Sequence, residues 1–236
     1  MKLPTQLLEQ QVIRATHEII TEPSDRDEQV KIGPSDMATD CLYCLGRKMA
    51  GEKIGRWTMF PWLGTAIHTL IEKTRDRLRP RPGFNDMAWQ LFGEDRAEFE
   101  KRVEVCTIPG YGTIYGSIDV FLRVQLAIVD WKSSSKKKVS QYKTNSVPLS
   151  YVGQLTMYMH ALRLLGYDVT QGVLVFIPRD AAKVEDIWTF PVEYQEQNAL
   201  SLIKRCTDVF AWVRANRHHE LPKHADCYNC FPRYFG

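Results

Sequence analysis

Two carboxylates on what reads as a pair of neighbouring strands constrain this chain more than any other feature of its sequence. The run from Thr113 to Leu122 is rich in β-branched and aromatic residues, which favour strands, and it carries Asp119. A second run, 125–133, follows after little more than a tight connection and carries Asp130. The pattern predicts a β-hairpin that brings the two carboxylates close together.

The second strand of this hairpin also carries a lysine. Side chains alternate along an extended chain, so Asp130 and Lys132 should project from one face and Trp131 from the other. Carboxylates suit hard cations such as Mg²⁺ and Mn²⁺, and a site with few protein ligands keeps positions open for water and a phosphate oxygen. The layout is typical of metal-dependent phosphodiester hydrolysis. The alternative is an exposed ion pair at a strand end, because Asp-x-Lys is a common sequence.

Two predicted helices add polar residues to this site. The segment 148–165 has apolar residues at helical spacing, and an adjoining stripe carries Gln154 and Tyr158. A second helix, predicted over 61–78, carries His68. For Gln154 and Tyr158 the alternative is an ordinary polar flank, and for His68 it is a core or surface histidine.

Taken in chain order, these residues form a series of four short motifs: Gly64-x-x-x-His68, Gly116-x-x-Asp119, Asp130-x-Lys132 and Gln154-x-x-x-Tyr158. The series resembles that of the RecB-like branch of the PD-(D/E)XK nuclease superfamily, and in particular the CRISPR-associated iron-sulfur exonuclease family. The resemblance covers roughly residues 35 to 232, and the order of the motifs is more specific than any one of them.

The resemblance implies a role for each of these residues. It implies that the metal ligands are His68, Asp119, Asp130 and the carbonyl of Trp131. It implies that the catalytic residues are Lys132, Asp119 and Asp130, with Gln154 and Tyr158 supporting the site or the DNA. Many relatives carry a glutamate where this chain has Asp130.

The cysteines point to a second metal site. Four of the six form two C-x-x-C pairs at opposite ends of the chain, namely Cys41 with Cys44 and Cys227 with Cys230. Such pairs together offer four thiolates, which suit zinc or an iron-sulfur cluster. Disulfides are the alternative, but we expect no signal peptide and therefore a reducing compartment. Cys106 and Cys206 fall inside strand-like and helix-like patterns and are expected to be buried.

The resemblance implies a 4Fe-4S cluster at these cysteines, since relatives often carry one that joins the N-terminal region to the C-terminal end. The usual pattern there is one early cysteine with three late ones. Here residues 41–44 and 227–230 supply two cysteines each, so Zn²⁺ remains an alternative to the cluster. Either centre would be structural, because four sulfur ligands leave no position for water.

Composition and charge agree with one compact enzyme. A hydrophobic content of 44% and the lack of a Pro/Gly/Ser-rich linker predict a single domain over residues 1–236. The net charge of +3 is too mild to indicate nucleic-acid binding, so the distribution of charge matters more. Positive charge concentrates beside the candidate site at Lys132, Lys136, Lys137, Lys138 and Lys143, and a second group follows the His68 helix at Arg77, Arg79 and Arg81. Such a run is usually a solvated face, but next to a metal site we interpret it as a phosphate contact.

The expected fold is α/β, a restriction-endonuclease-like mixed central sheet flanked by helices, with its N- and C-terminal segments joined by the four-cysteine site. The predicted helices lie near 5–20, 35–50, 61–78, 85–101, 148–165 and 194–215. The predicted strands lie near 103–108, 112–122, 125–133, 172–178 and 185–192. We expect no membrane association and a cytoplasmic location, since no apolar stretch is long enough to span a bilayer.

Three classes of function fit these patterns. The first is a metal-dependent DNA exonuclease of recombination, repair or replication, which the resemblance implies is single-strand-preferring, acts at free ends and runs 5′ to 3′. The second is a DNA endonuclease of the same superfamily. The third is a non-catalytic zinc-ribbon module that binds nucleic acid, against which the intact Asp119, Asp130 and Lys132 argue. Protein partners are not predicted.

Overall fold

A five-stranded mixed sheet organises the computed structural model, which describes Arg14 and residues 31–54, 59–75, 87–93 and 95–231. The strands lie side by side in chain order: β1 (Ala97–Ile108), β2 (Gly112–Leu122), β3 (Ala127–Ser134), β4 (Gln171–Pro178) and β5 (Trp188–Glu193). β3 and β4 are parallel, and the other neighbouring pairs are antiparallel. A parallel pair needs a long crossover, and helices supply it here.

Seven α-helices surround the sheet within the described residues: α1 (Pro34–Met37), α2 (Leu42–Met49), α3 (Met59–Arg75), α4 (Met87–Phe92), α5 (Lys136–Asn145), α6 (Leu149–Leu164) and α7 (Glu196–Arg214). Short 3₁₀ turns occupy Val184–Asp186 and His218–Glu220. None of the described helices is long and apolar enough to cross a membrane.

The two faces of the sheet bury separate apolar clusters. Phe121 and Phe176 belong to the larger one, which they share with Leu155 of α6 and with residues of α1, α2 and α7. The smaller cluster lies on the other face, where Trp131 packs with Ile71 of α3. Both faces are therefore covered, as expected for a sheet with a parallel pair.

The predicted fold class and the hairpin are confirmed. β2 and β3 are antiparallel neighbours, with Phe121 opposite Ile128. The helices predicted over 61–78, 148–165 and 194–215 correspond to α3, α6 and α7. The helix predicted over 35–50 is interrupted before Cys41, which is the N-cap of α2. The helix predicted near 5–20, apart from Arg14, and the arginines Arg77, Arg79 and Arg81 lie outside the described residues.

The helix predicted over 85–101 is wrong in its second half. Among the described residues of this range Met87–Phe92 is helical, and β1 begins at Ala97. Ala97 and Phe99 alternate into the smaller apolar cluster and pair with β2, so contacts between strands override the local preference. A further helix, α5, was not predicted, because its first turn was interpreted only as a charge run. Ser135 caps it by accepting a hydrogen bond from the Lys138 N–H at 3.3 Å.

Candidate active site and cysteine centre

The candidate active site lies where β2 and β3 separate. These strands pair over only three positions, and the last pair joins Val120 to Val129. Asp119 and Asp130 are the next residues on each strand, so both carboxylates stand at the fork. Past this point β3 continues with β4 as its neighbour. The hairpin that was predicted from the sequence thus brings both carboxylates together, as expected.

At the fork, the side chain of Asp119 replaces a backbone hydrogen bond between β2 and β3. Its Oδ2 accepts a hydrogen bond from the backbone N–H of Trp131 at 2.8 Å, which fixes the carboxylate between the strands. The side chain is only 12% exposed. Burial, and next the negative charge of Asp130, raise the pKa of Asp119 to about 8. A buried carboxyl of this kind becomes ionised readily only when a positive charge arrives.

His68 of α3 faces the fork from above the smaller cluster. Its Nε2 lies 3.0 Å from the Trp131 carbonyl oxygen, and since a carbonyl can only accept, Nε2 carries the proton. Burial lowers the pKa of His68, which favours the neutral ring. Its Nδ1 is then a bare lone pair, buried and without a hydrogen-bond partner among the described residues. That atom lies 3.5 Å from Asp119 Oδ2.

Asp130 and Lys132 form a buried ion pair. Lys132 Nζ lies 2.7 Å from Asp130 Oδ2, and the Asp130 side chain is 2% exposed. Beyond this charged contact, Asp130 Oδ2 has no hydrogen-bond partner within the described part of the chain. Trp131 between them packs into the smaller apolar cluster, on the opposite face of the strand. The predicted alternation of these three side chains is therefore observed.

The stripe of α6 holds the lysine in place. Lys132 Nζ donates a hydrogen bond to Gln154 Oε1 at 2.8 Å and lies 5.2 Å from the centre of the Tyr151 ring. Gln154 Nε2 in turn approaches the Tyr158 hydroxyl at 3.5 Å. Burial raises the pKa of Tyr158, so its hydroxyl remains protonated. Gln154 contacts the Lys132 ammonium directly, and Tyr158 contacts Gln154. Both are therefore placed to position the lysine side chain.

Glu100 of β1 is a member of the site that sequence reasoning missed. It stands opposite Asp119, between the pairs that join Phe99 to Val120 and Lys101 to Ile118. Its carboxylate accepts a hydrogen bond from Ser117 Oγ at 2.8 Å. The predicted helix over 85–101 hid this residue, because only strand pairing puts it across from Asp119.

The backbone is irregular at the same place. Glu100 has a φ of 47°, in the left-handed region that a non-glycine residue seldom adopts within a strand. On β2, Ile118 belongs to the larger apolar cluster and Val120 to the smaller, whereas strict alternation would put them on one face. Left-handed residues are held only where surrounding structure compensates their strain, and they concentrate at functional sites.

These side chains fit a divalent cation. Ligand atoms of His68, Glu100 and Asp119 all lie within 4.8 Å of one another. Ligand atoms of these types, one of them an unpartnered imidazole nitrogen, can share one divalent cation, which would also favour the ionised form of Asp119. Asp130 is turned toward Lys132 and is not part of this trio. The Trp131 carbonyl, also expected as a ligand, accepts from His68 and keeps a second lone pair.

The basic run beside the site is partly neutralised. Lys136 opens α5, where its Nζ lies 3.0 Å from Asp186 Oδ2. Lys143 Nζ lies 5.8 Å from the centre of the Trp188 ring. Lys137 and Lys138 are exposed. The run therefore presents fewer unpaired charges than its composition indicates.

The four cysteines of the two C-x-x-C pairs meet in space. Cys41 and Cys44 stand at the start of α2, and the turn that follows the 3₁₀ segment His218–Glu220 brings Cys227 and Cys230 to them. The Sγ atom of Cys44 lies 3.5 Å from those of both Cys227 and Cys230, and the Sγ atoms of Cys41 and Cys230 are 3.6 Å apart. These distances exclude disulfide bonds, in which the sulfurs lie at about 2 Å.

The electrostatics of this group call for a cation. Burial raises the pKa of the Cys41 thiol, but the backbone N–H groups of His224 and Cys44 outweigh that effect and lower it to about 7. Burial together with the neighbouring thiols raises the pKa of Cys44, and burial raises that of Cys230 to about 11. One thiolate thus forms readily and suppresses the ionisation of the others. A metal ion removes this repulsion and allows all four to ionise.

Cys106 and Cys206 take no part in this centre. Both are buried in the larger apolar cluster, as expected from their patterns. Burial raises the pKa of Cys106 to about 11 and that of Cys206 to about 12, which marks them as small apolar side chains.

Comparison with known proteins identifies a family-level match. A sequence profile described as the PD-(D/E)XK nuclease superfamily matches residues 45–231 of this chain. None of the curated proteins compared matches it.

Several solved structures are similar in fold. An alkaline exonuclease (LHK-Exo) from Laribacter hongkongensis is 12% identical, with a TM-score of 0.51 and coverage of 81% of this chain and 91% of that one. LHK-Exo in complex with dAMP has a TM-score of 0.52 at the same identity and coverage. A phage related exonuclease from Haemophilus somnus 129PT is 16% identical, with a TM-score of 0.46 and coverage of 86% and 91%.

Proposed function

Because this chain belongs to the PD-(D/E)XK nuclease superfamily, we propose that it is a divalent-metal-dependent deoxyribonuclease that hydrolyses phosphodiester bonds. The observation that carries this proposal is the fork between β2 and β3, where Asp119, Asp130 and Lys132 meet. A non-catalytic binding module has no need for two buried carboxylates, an unpartnered imidazole nitrogen and an ammonium in one place. Burying these groups costs folding free energy, and groups of this kind concentrate at catalytic sites.

Mg²⁺ or Mn²⁺ would be held by His68 and Asp119, with Glu100 as a further ligand and with Asp130 and the Trp131 carbonyl close by. The lone pair on His68 Nδ1 and the carboxylate oxygens are the donor types that Mn²⁺ accepts, and carboxylates suit Mg²⁺. When bound, such a metal polarises a phosphoryl oxygen and lowers the pKa of bound water. Ionised Asp119 would then be favoured by the cation rather than penalised by burial.

Lys132 would act on the phosphate itself. Its ammonium is held between the Asp130 carboxylate at 2.7 Å and the Gln154 amide oxygen at 2.8 Å. An ammonium fixed in a water-poor pocket can orient the attacking water or offset the charge that develops on phosphate oxygens. Gln154 would be a positioning residue, and Tyr158 would position Gln154.

We further propose that the substrate is DNA, attacked from a free end, with a preference for single strands and a 5′ to 3′ direction. The names of the similar structures support the exonuclease class, since one is an alkaline exonuclease that was solved in complex with dAMP. The strand preference and the direction rest on the motif resemblance. We propose roles in recombination, repair or replication. We also propose a cytoplasmic location, which cysteines without disulfide bonds would fit.

The four cysteines would hold a structural metal. Their site has no open coordination position, and the elements that carry it lie at opposite ends of the chain. Metal binding at such a site contributes to the free energy of folding.

The central experiment compares cleavage of a linear single strand with cleavage of a covalently closed single-stranded circle, each with Mg²⁺ or Mn²⁺. Digestion of the linear DNA alone, starting from a labelled 5′ end, is expected. Equal rates on the circle would favour the endonuclease class instead. Full activity in excess EDTA would contradict metal dependence.

Variants connect that activity to the fork. Asp130→Asn and Lys132→Ala should each reduce cleavage at least about a hundredfold, as loss of a preorganised charged group does. Lys204→Ala, an exposed lysine on α7 paired with Asp208, is the matched control and should change the rate little. Circular dichroism should show the same folded content in all three. Near-normal activity of Asp130→Asn would remove the fork from the mechanism.

A further inference from the structure

The sulfur positions identify the type of metal at the cysteine centre. From their spacing we infer that the four cysteines hold a single tetrahedral ion, Zn²⁺, and not the 4Fe-4S cluster that the motif resemblance implies. This inference rests on the proposed metal binding by these cysteines and is independent of the nuclease activity.

A single ion and a cluster require different distances between sulfurs. With Zn–S bonds of about 2.3 Å in a tetrahedron, neighbouring sulfurs lie about 3.8 Å apart. The sulfur–sulfur distances of 3.5 Å and 3.6 Å in the structure are within a few tenths of an ångström of that value. In a 4Fe-4S cluster each cysteine binds a different iron at the corners of a cube, so the thiolates lie well apart around it. Sulfurs in mutual contact leave no space for that cube.

The protein around the site opposes the expansion that a cluster would require. The backbone N–H of Tyr43 on α2 donates to the Pro222 carbonyl at 3.1 Å, which ties α2 to the segment before Cys227. A Cβ atom at Gly46 would lie 2.5 Å from Leu221 Cδ1, so the two segments are already in close contact. Moving the cysteine pairs apart would break this contact along with the hydrogen bond.

A second contact joins the C-terminal end of α2 to the segment that precedes Cys227. His218 Nε2 lies 2.9 Å from Glu52 Oε1, just beyond the end of α2. Leu221 is buried in the larger apolar cluster that also holds Leu45 of α2. The spacing of the sulfurs is thus set by a packed interface on both sides of the site rather than by the cysteines alone.

The turns that present the cysteines suit one ion as well. The Cys230 N–H donates to the Cys227 carbonyl at 3.2 Å, and the Phe231 N–H donates to the same carbonyl at 2.8 Å. This closed turn presents both sulfurs to one point. Cys41 and Cys44 are presented to that point by the first turn of α2. Two compact turns that face each other supply two edges of one tetrahedron.

Metal analysis of anaerobically purified protein tests the inference. Cells are grown with ample iron and zinc, and the protein is assayed for zinc, iron and acid-labile sulfide. We expect about one zinc per chain, no sulfide and no visible colour, and an intense tetrathiolate d–d spectrum after replacement by Co²⁺. About four irons and four sulfides per chain, in purified protein or after anaerobic reconstitution, would overturn the zinc assignment while leaving a structural metal.

Two variants assign the zinc to its site. Cys44→Ser should lose the zinc, whereas Cys106→Ser, a buried cysteine outside the centre, should retain it. Asp119→Asn should also retain one zinc per chain, which excludes binding at the fork as its source. A well-folded wild-type protein with neither metal would overturn both the zinc assignment and the proposal of a structural metal, and would leave the nuclease proposal to its own assay.

Discussion

At the scale of single residues, Glu100 is the side chain whose role depends most on conformation. A left-handed φ in a strand costs of order 1 kcal/mol or more, so the chain tolerates this conformation only where other contacts compensate. Here the hydrogen bond from Ser117 Oγ is one such contact, and a cation shared with Asp119 would be a second. We therefore interpret Glu100 as a member of the proposed metal site as well as a residue of β1.

Replacing Glu100 by Gln should weaken Mn²⁺ binding about tenfold or more, since the amide carries no charge for the cation. The fold should be unchanged, because Gln can still accept from Ser117 Oγ. Calorimetric titration with Mn²⁺ measures the affinity. Glu104→Gln is the matched control, an exposed glutamate on the same strand. Equal affinity in both variants would exclude Glu100 as a ligand.

Asp119 should show a conflict between stability and function. Its pKa is raised from 3.8 to about 8 by burial and by Asp130, so the metal-free fold favours the protonated form. Stability from this group is complete below the unfolded pKa and is lost as the pH rises from about 4 to about 8. Asp119→Asn should therefore abolish cleavage yet gain stability over the wild type across this range. Thermal melts of both proteins without added metal, at several pH values, measure this gain in stability. A difference in melting temperature that does not change with pH would contradict the raised pKa of Asp119.

At the scale of elements, the motif residue Gly116 allows β2 to pack closely against α6, because it has no side chain. A Cβ atom there would lie 2.7 Å from both Pro34 Cγ and Tyr158 Cε1. The close approach of β2, α1 and α6 confines the ring of Tyr158, whose hydroxyl accepts from Gln154 one turn earlier on α6, and Gln154 in turn holds Lys132. The glycine of this motif therefore has a packing role on the same strand that carries Asp119.

Gly116→Ala should lower the melting temperature and the cleavage rate together, because the added methyl group displaces Tyr158 or Pro34. Overpacking of this kind costs about 1–3 kcal/mol. Gly64→Ala is the control: a Cβ atom there is 4.0 Å from its nearest neighbour, Ser133 Cβ, and alanine favours a helix. Melting curves of both variants test the difference. An unchanged Gly116→Ala protein would show that the contact relaxes freely.

At the scale of the whole molecule, the two ends of the described chain form one joint. α2 packs against α7 and the 3₁₀ segment His218–Glu220, and Cys206 and Val209 of α7 belong to the larger core cluster. The cysteine centre is thus connected to the sheet through a continuous apolar interior. We therefore expect residues 1–236 to behave as a single domain.

Unfolding should accordingly be a single cooperative transition, with far-UV circular dichroism and tryptophan fluorescence superimposed. Cys41→Ser should shift that entire transition to lower temperature, because lost metal binding is lost folding free energy. Cys106→Ser should shift it less. Two separate transitions, or a Cys41→Ser effect confined to part of the signal, would indicate that the cysteine segment is an independent unit.

Much of the site could be predicted from local sequence. Alternation put Asp130 and Lys132 on one face of β3, and helical spacing put Gln154 and Tyr158 on one stripe of α6. The two C-x-x-C pairs were recognisable because ligand spacing within a pair is short. Each of these is a periodicity or a spacing within one element, and the chain's local geometry is enough to determine it.

What remained belonged to contacts between elements. Pairing with β2 turned residues 97–101 into a strand and placed Glu100 across from Asp119. The tautomer of His68 depends on a carbonyl more than sixty residues away along the chain. The packing of Gly46 on Leu221 sets the sulfur spacing that separates zinc from a cluster. The residue types that can bind metal are visible in the sequence, but distances between ligands follow from how distant segments pack, and those distances decide which metal fits.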